Sequence, residues 1–254
     1  MNTTLLDGLL HDRRILVTGG GNGIGAAVAA RFADLGARGA VLDLPTATGS
    51  APEGWHSIHA DVRDEMAVAD AVAKAADALG GLDGVVAAAG VVPAWQPDAQ
   101  FDMDDFARVL SINVLGVAAT VKHAAPLLGA GSTITAVGSL NSWRGDPNIA
   151  SYAASKHAVL GLIRSTALAL GRKGVRANAV GPGPIATDAL RYRMAAREGI
   201  TGLSVDEAIA AAGRSAALGR IATIDEVVDV ITFLTGPLSS GVTGQLVHVD
   251  CGIL

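Results

Sequence analysis

The chain has 254 residues, half of them apolar, 4% aromatic and 17% charged, with a formal net charge of −5. That length suits one large α/β domain or two small ones, the core it buries must be aliphatic and tightly packed, and with no Lys/Arg cluster a nucleic-acid partner is not expected. The single cysteine, Cys251, excludes an internal disulfide and fits a reducing compartment; residues 1–7 lack the basic start and apolar core of a signal peptide, and the most apolar stretch, residues 85–94, is too short to span a bilayer, so a soluble cytoplasmic protein is expected.

In chain order, the apolar run Ile15-Leu16-Val17 ends in glycines, as a buried parallel strand does. Residues 22–36 carry Ile24, Val28, Phe32 and Leu35 at helical spacing. Strands are predicted at 40–44, 55–60, 82–89, 132–138, 175–180 and 246–249. Helices are predicted at 65–79, 104–128, 152–170 and 224–234. Alternating strands and helices predict an α/β, doubly wound, three-layer Rossmann fold: a seven-stranded parallel sheet with helices on both faces. No linker or repeat divides residues 1–254, so one domain is expected. Residues 184–215, with two short helical patches, follow the sixth strand, where a substrate lid would sit.

The stretch Thr18-Gly-Gly-Gly-Asn-Gly-Ile-Gly25 lies between a strand and a helix. Backbone N–H groups and the helix dipole there favour a pyrophosphate, and glycine lets the backbone come close. Two registers fit: Gly21-x-Gly23-x-x-Ala26, and Gly19-x-x-x-Gly23-x-Gly25. Asp43 ends the second strand 20 residues after Gly23. A carboxylate at that place accepts hydrogen bonds from ribose hydroxyls and repels a 2′-phosphate. No Arg or Lys lies in residues 18–25 or just after Asp43 to offset that repulsion, so NAD is favoured over NADP.

Tyr152 and Lys156 stand four apart at the start of a predicted helix and so share a face. An ammonium beside a phenol stabilises the phenolate and moves its proton affinity toward working pH, which suits proton exchange with an alcohol or carbonyl. Ser139, after the fifth strand, can hydrogen-bond the same oxygen.

Together these motifs resemble the short-chain dehydrogenase/reductase family, over about residues 10–252. The glycine loop is Thr18–Gly25 in the Gly19, Gly23, Gly25 register, and the Ser, Tyr and Lys of the family stand at Ser139, Tyr152 and Lys156. The helical Asn stands as Asn113 in "LSINVLG", the PG motif as Gly181-Pro182-Gly183, and the closing segment as "VTGQLVHVDCG". The resemblance implies an NAD(H)-dependent oxidoreductase that interconverts a secondary alcohol and a ketone by hydride transfer. Tyr152 would be the general acid/base, Lys156 would hold the nicotinamide ribose, Ser139 would orient the substrate oxygen and Asn113 would fix a relay water. Gly19, Asn22, Gly23 and Ile24 would hold the cofactor, as would Asp61 and Val62 beside the adenine. Ala88, Ala89 and Gly90 would make backbone contacts, and Pro182, Gly183, Ile185 and Thr187 would serve the nicotinamide end. Substrate candidates are hydroxysteroids, cyclic alcohols, diols, sugars and 3-oxoacyl thioesters. The alternatives are an NADP-dependent 3-oxoacyl thioester reductase-like enzyme and a dinucleotide-binding sensor without turnover. A homotetramer or homodimer built on the Gly- and Ala-rich helices is also implied.

One departure stands out. The family's Asn-Asn-Ala-Gly is Ala87-Ala88-Ala89-Gly90 here, and the strand tie that the first Asn supplies is lost. Trp95, Leu140 and Trp143 are expected to face the substrate, with Arg144 as a further anion contact. His56 and His59 share a strand at odd spacing and so face opposite ways; no metal site is expected.

Overall fold

Side-chain parity in the first strand already separates two cores. In the computed structural model, which describes residues 8–96 and 99–253, β1 is Arg14–Thr18. Leu16 points to one face of the sheet and Ile15 and Val17 to the other, because successive strand side chains alternate, and all three are fully buried. The expectation of a leader-free start at residues 1–7 lies outside the described residues.

The chain continues through α1 (Gly23–Asp34), β2 (Arg38–Asp43), β3 (His56–His59), α2 (Glu65–Leu79) and β4 (Leu82–Ala87). After these come α3 (Met103–Leu110), a π-helical turn (Ser111–Leu115), α4 (Gly116–Ala124) and β5 (Leu128–Val137). Then follow α5 (Ala150–Leu170), β6 (Arg176–Pro182), α6 (Asp188–Ala195), α7 (Glu198–Thr201), α8 (Val205–Arg214), α9 (Ile224–Thr235) and β7 (Leu246–Val249). The seven strands form one parallel sheet in the order β3-β2-β1-β4-β5-β6-β7. Leu16, Leu42, Val85 and Ile134 pack with Val68 and Val72 of α2 and Val159 and Ile163 of α5 on one face. Ile15, Val17, Val41 and Val86 pack with Val28 and Phe32 of α1 and Val227 and Ile231 of α9 on the other. Each such side chain, fully buried, contributes roughly 1.5–3 kcal/mol.

Strand order reverses between β1 and β4, since the chain leaves β1 toward β2 and β3 and returns on the far side to β4. In an open parallel sheet the carboxyl ends of the strands part at that point and leave a crevice. Ala87 is 1% exposed and pairs with Thr18 of β1 and Ala136 of β5. The ladder is therefore continuous where the family's Asn is missing; the irregularity between β4 and β5 lies earlier, between Leu82 and Gly84.

Most element ends shift by a few residues from the sequence reading, and three differences change the elements themselves. The helix expected at 104–128 is α3, a π turn and α4 in succession, and Leu128 already belongs to β5. The region 184–215 holds three helices rather than two patches: Thr187 and Ser204 supply side-chain N-caps to α6 and α8, and the four-residue α7 lies between them without one. The fourth strand stops at Ala87, and residues 88–90 instead form the crevice wall. By length and composition the helical run Met103–Leu127 is long and apolar enough to cross a membrane, with an 18-residue stretch of mean hydropathy 1.2; 44% of that stretch is buried inside the fold, where α4 packs on α2 and α3 on α5.

Candidate active site

A cleft of about 1530 Å³ opens at the carboxyl ends of β1, β4 and β5. The glycine loop forms its floor. Gly19 has a positive φ of 68°, and a Cβ there would lie 2.6 Å from the backbone of Ala89. A Cβ on Gly25 would collide with Gly19 O, so both positions must be glycine for β1, α1 and the segment after β4 to converge. Gly23 also has a positive φ, 56°, but nothing lies within 4 Å of its missing side chain. The N-cap residue Asn22 makes no side-chain cap hydrogen bond. The first N–H groups of α1 are thus left for a partner on the cleft side. An uncapped helix N-terminus beside an open glycine fits a pyrophosphate. Asn22, Gly23 and Ile24 line the cleft there.

Asp43 closes one end. Its Oδ2 accepts from Gly21 N at 2.7 Å and its Oδ1 from Leu44 N at 2.7 Å. The carboxylate therefore also pins the glycine loop to β2, a link that sequence spacing does not show. A Cβ on Gly21 would sit 2.7 Å from Ala47 Cβ, so the loop after β2 lies close over it. Asp61 and Val62 line the cleft beside Arg63. Arg63 holds both Asp61 carboxylate oxygens, Nε donating to Oδ1 at 3.0 Å and Nη2 to Oδ2 at 2.5 Å, and that hydrogen-bonded pairing keeps the Asp61 carboxyl below its ordinary range. Val62 presses on Gly116, where a Cβ would come within 2.9 Å of it.

The titratable and hydroxyl groups of the cleft lie on α5 and after β5. Tyr152 and Lys156 both line the cleft, and Lys156 Nζ is 5.5 Å from the centroid of the Tyr152 ring. One helical turn separates them, which puts both on the cleft face. Lys156 is only 5% exposed, and Nζ donates to Val137 O at 2.8 Å. Burial pulls its pKa from 10.5 down to about 8, since a low-dielectric surrounding disfavours the charged form. Ser139 lines the cleft at the mouth of β5. Its Oγ accepts from Asn141 N and its N–H donates to Ser142 Oγ, both at 3.1 Å. The Oγ–H then remains for donation into the cleft.

Asn113 stands behind this wall, fully buried in the π turn. Its Oδ1 accepts from Val91 N at 2.8 Å, and its Nδ2 donates to Val91 O at 2.9 Å and to Ser155 Oγ at 3.1 Å. Ser155 Oγ in turn donates to Tyr152 O at 2.7 Å. The π turn is what brings this amide to both the segment after β4 and the start of α5; such turns commonly mark functional places. A Cβ on Gly90 would sit 3.3 Å from Asn113 Oδ1 and 3.6 Å from Lys156 Nζ, so Gly90 is the thin partition between them.

Ala88, Ala89, Gly90, Pro182, Gly183, Ile185 and Thr187 line the cleft as well. Thr187 Oγ1 accepts from Leu190 N at 3.1 Å as the N-cap of α6. Of the three residues expected at the substrate, Trp95 lines the cleft and Leu140 and Trp143 do not. The tight turn Leu140–Ser142 carries the chain outward, and Trp143, 48% exposed, meets His248 edge-on at 5.5 Å. His56 and His59 are exposed on the edge strand β3, and among the described residues no group of three His, Cys, Asp or Glu is placed to hold a metal ion. Sequence reasoning missed Ser155, the Val137 carbonyl and Arg197. The first two act through tertiary approach. Arg197 reaches the cleft from the segment between α6 and α7 and places its guanidinium 3.8 Å from the centroid of the Trp95 ring.

The family model that matches residues 19–254 is described as enoyl-(acyl carrier protein) reductase. A (-)-isopiperitenol/(-)-carveol dehydrogenase of Mentha piperita is 34% identical, over 94% of this chain and 92% of that one. The aldohexose dehydrogenase of Thermoplasma acidophilum superposes with a TM-score of 0.88 at 27% identity, covering 96% and 94% of the two chains. A short-chain dehydrogenase of Burkholderia cenocepacia, solved with NADP, gives 0.81 at 32% identity over 98% of each chain. With its Rossmann sheet and this cleft, the chain belongs to the short-chain dehydrogenase/reductase family, a family of oxidoreductases that bind a nicotinamide dinucleotide and act on small molecules.

Proposed function

We propose that this protein is an NAD(H)-dependent dehydrogenase/reductase that interconverts a secondary alcohol and a ketone. The observation that carries the reading is the convergence of Ser139, Tyr152 and Lys156 on one cleft above the glycine loop. The dinucleotide supplies or takes up the hydride when bound. The chain's own residues do the rest. The α1 N-terminus and Gly23 hold the pyrophosphate, Asp43 the adenosine ribose, Asp61 and Val62 the adenine, and Lys156 the nicotinamide ribose. Ala88 to Gly90, Pro182, Gly183, Ile185 and Thr187 close around the nicotinamide half. Ser139 donates to the substrate oxygen and fixes it. Tyr152 passes the proton at its phenol oxygen to that oxygen in reduction and removes it in oxidation. Lys156, protonated at neutral pH with a pKa of about 8, stabilises the phenolate. Asn113 holds the wall through which the proton is replaced from solvent.

NAD is proposed over NADP because the Asp43 carboxylate stands at the ribose end, held in place by Gly21 N and Leu44 N, and no Lys or Arg follows it before Arg63. The Burkholderia relative with NADP makes this choice a matter for measurement. A substrate of small to medium size fits the apolar cleft wall, and the named substrates of relatives are alcohols. A second reading, an NADP-dependent 3-oxoacyl thioester reductase-like enzyme, draws support from the matching family model, whose description also names an acyl-carrier substrate. We also propose that the lid is the segment 184–215 of a single domain and that the protein assembles as a homotetramer.

The deciding experiment follows NADH formation and loss over a panel of cyclic alcohols, sugars and acyl thioesters, beside Tyr152→Phe. Turnover of an alcohol that disappears in the variant, with NADH binding kept, supports the reading. Tight NADH binding with no turnover on the whole panel refutes it in favour of a sensor.

A further inference from the structure

The cleft has two walls beyond the reacting groups. One is the loop after β4, where Val91 to Ala94 lead into Trp95; the other is the segment after β6, with Ala186, Tyr192 and Ala196. Both are mostly apolar, so they sort ligands by shape more than by charge. Ties on the second wall's own side hold it in place. Arg191 pairs with Asp206 at 3.2 Å, linking α6 to α8, and Ile185 pairs with Ala222 as a parallel bridge. Trp95 and Arg197 then join the two walls across the opening. The guanidinium carbon lies 3.8 Å from the indole centroid, which is direct stacking contact and well inside the range of a cation–π attraction. Two planar groups in contact make a stiff barrier: each has few favourable orientations once stacked, and neither is compressible. They come from positions 102 apart in sequence, so no local motif encodes the pair.

We propose that the Trp95–Arg197 stack is a specificity-determining clamp that limits how large a substituent the substrate can carry beyond its reacting carbon. It rests on the dehydrogenase reading above. Small alcohols and ketones fit beneath the closed stack. Large ones must part it and lose the stacking contact, so their kcat/KM falls relative to small ones.

The test compares cyclohexanol with its tert-butyl- and phenyl-substituted forms, using wild type, Trp95→Ala, Arg197→Ala, Trp95→Phe and Arg197→Lys. Each alanine variant is expected to raise the large-to-small ratio of kcat/KM about tenfold, the scale on which pockets discriminate apolar groups. The Phe and Lys variants, which keep a ring or a cation, should stay nearer wild type. NADH affinity should not move in any of them. An unchanged ratio in both alanine variants overturns the clamp while leaving the dehydrogenase reading intact. If no alcohol turns over in any protein, that reading fails instead. The clamp is then judged by calorimetric titration of the matching ketones into NADH-loaded protein: a shift in size preference in the alanine variants supports it, and identical isotherms refute it.

Discussion

Lys156 puts a titratable ammonium inside the protein, and its cost has a sign that can be read. Its folded pKa, about 8, lies below its ordinary 10.5. Between those values the unfolded chain keeps a proton that the folded chain has released, so stability rises with pH through that window. Below pH 8 the full penalty is present, about 3 kcal/mol at most. Urea midpoints of dinucleotide-free protein at pH 7.5 and 9.5 should therefore increase, and Lys156→Met should lose most of that increase. A parallel rise in both proteins would contradict the assignment. Asp43 offers a second residue-scale prediction. Asp43→Ser removes the charge that opposes a 2′-phosphate, so the NAD:NADP ratio of kcat/KM should fall by at least about tenfold. Affinity for NAD should also drop, because Gly21 N loses its 2.7 Å acceptor and the ribose hydroxyls lose theirs. A ratio that stays put would remove Asp43 from cofactor choice.

Elements make their own predictions. The π turn at Ser111–Leu115 is stabilised by what Asn113 reaches, not by helix propensity, and Asn113→Ala leaves Val91 N–H and C=O without their partner. Buried polar groups left unpaired cost about 1–3 kcal/mol each. A lower thermal midpoint and impaired turnover are expected together, and a variant with unaltered Tm and kcat would show that the turn is incidental. Helix α9 begins with a capping box, Thr223 Oγ1 accepting from Glu226 N at 3.2 Å and Glu226 Oε2 from Thr223 N at 2.9 Å. Arg220 also pairs with Glu226, at 2.6 Å, and these hydrogen bonds hold the Glu226 carboxyl down at about 2. Thr223→Ala should cost about 1 kcal/mol, seen as a lower urea midpoint, and an unchanged midpoint would show that the box adds nothing to α9.

At the scale of the molecule, light charge and exposed apolar residues raise the question of assembly. Leu115 on the α3–α4 run and Leu168 on α5 are 62% and 85% exposed, and neither is covered by the chain's own sheet. Light scattering is expected to give a mass four times that of one chain, and a monomer at working concentration would refute the tetramer. The fold was legible for a plain reason. Short aliphatic runs alternating with helical periods admit few architectures, and strand ends fell within a few residues because glycines and Pro182 mark them. The long helix was misread because apolar periodicity runs unbroken through Ser111 to Leu115, and a π turn leaves no mark in hydropathy. Trp143 was misplaced because position after β5 says nothing about which way the turn at Leu140 sends the next side chain.

The sequence by itself determined the layered sheet, the glycine loop, the acidic end of β2 and the Ser139, Tyr152, Lys156 set, because each depends on local spacing or on a residue type that the local backbone requires. Only the tertiary structure decided that Asp43 also holds Gly21, that Asn113 and Ser155 brace Tyr152, that Lys156 is desolvated, and that Trp95 meets Arg197. Those are contacts between segments roughly 20 to 100 residues apart, set by how the helices pack on the sheet, and no local pattern records them.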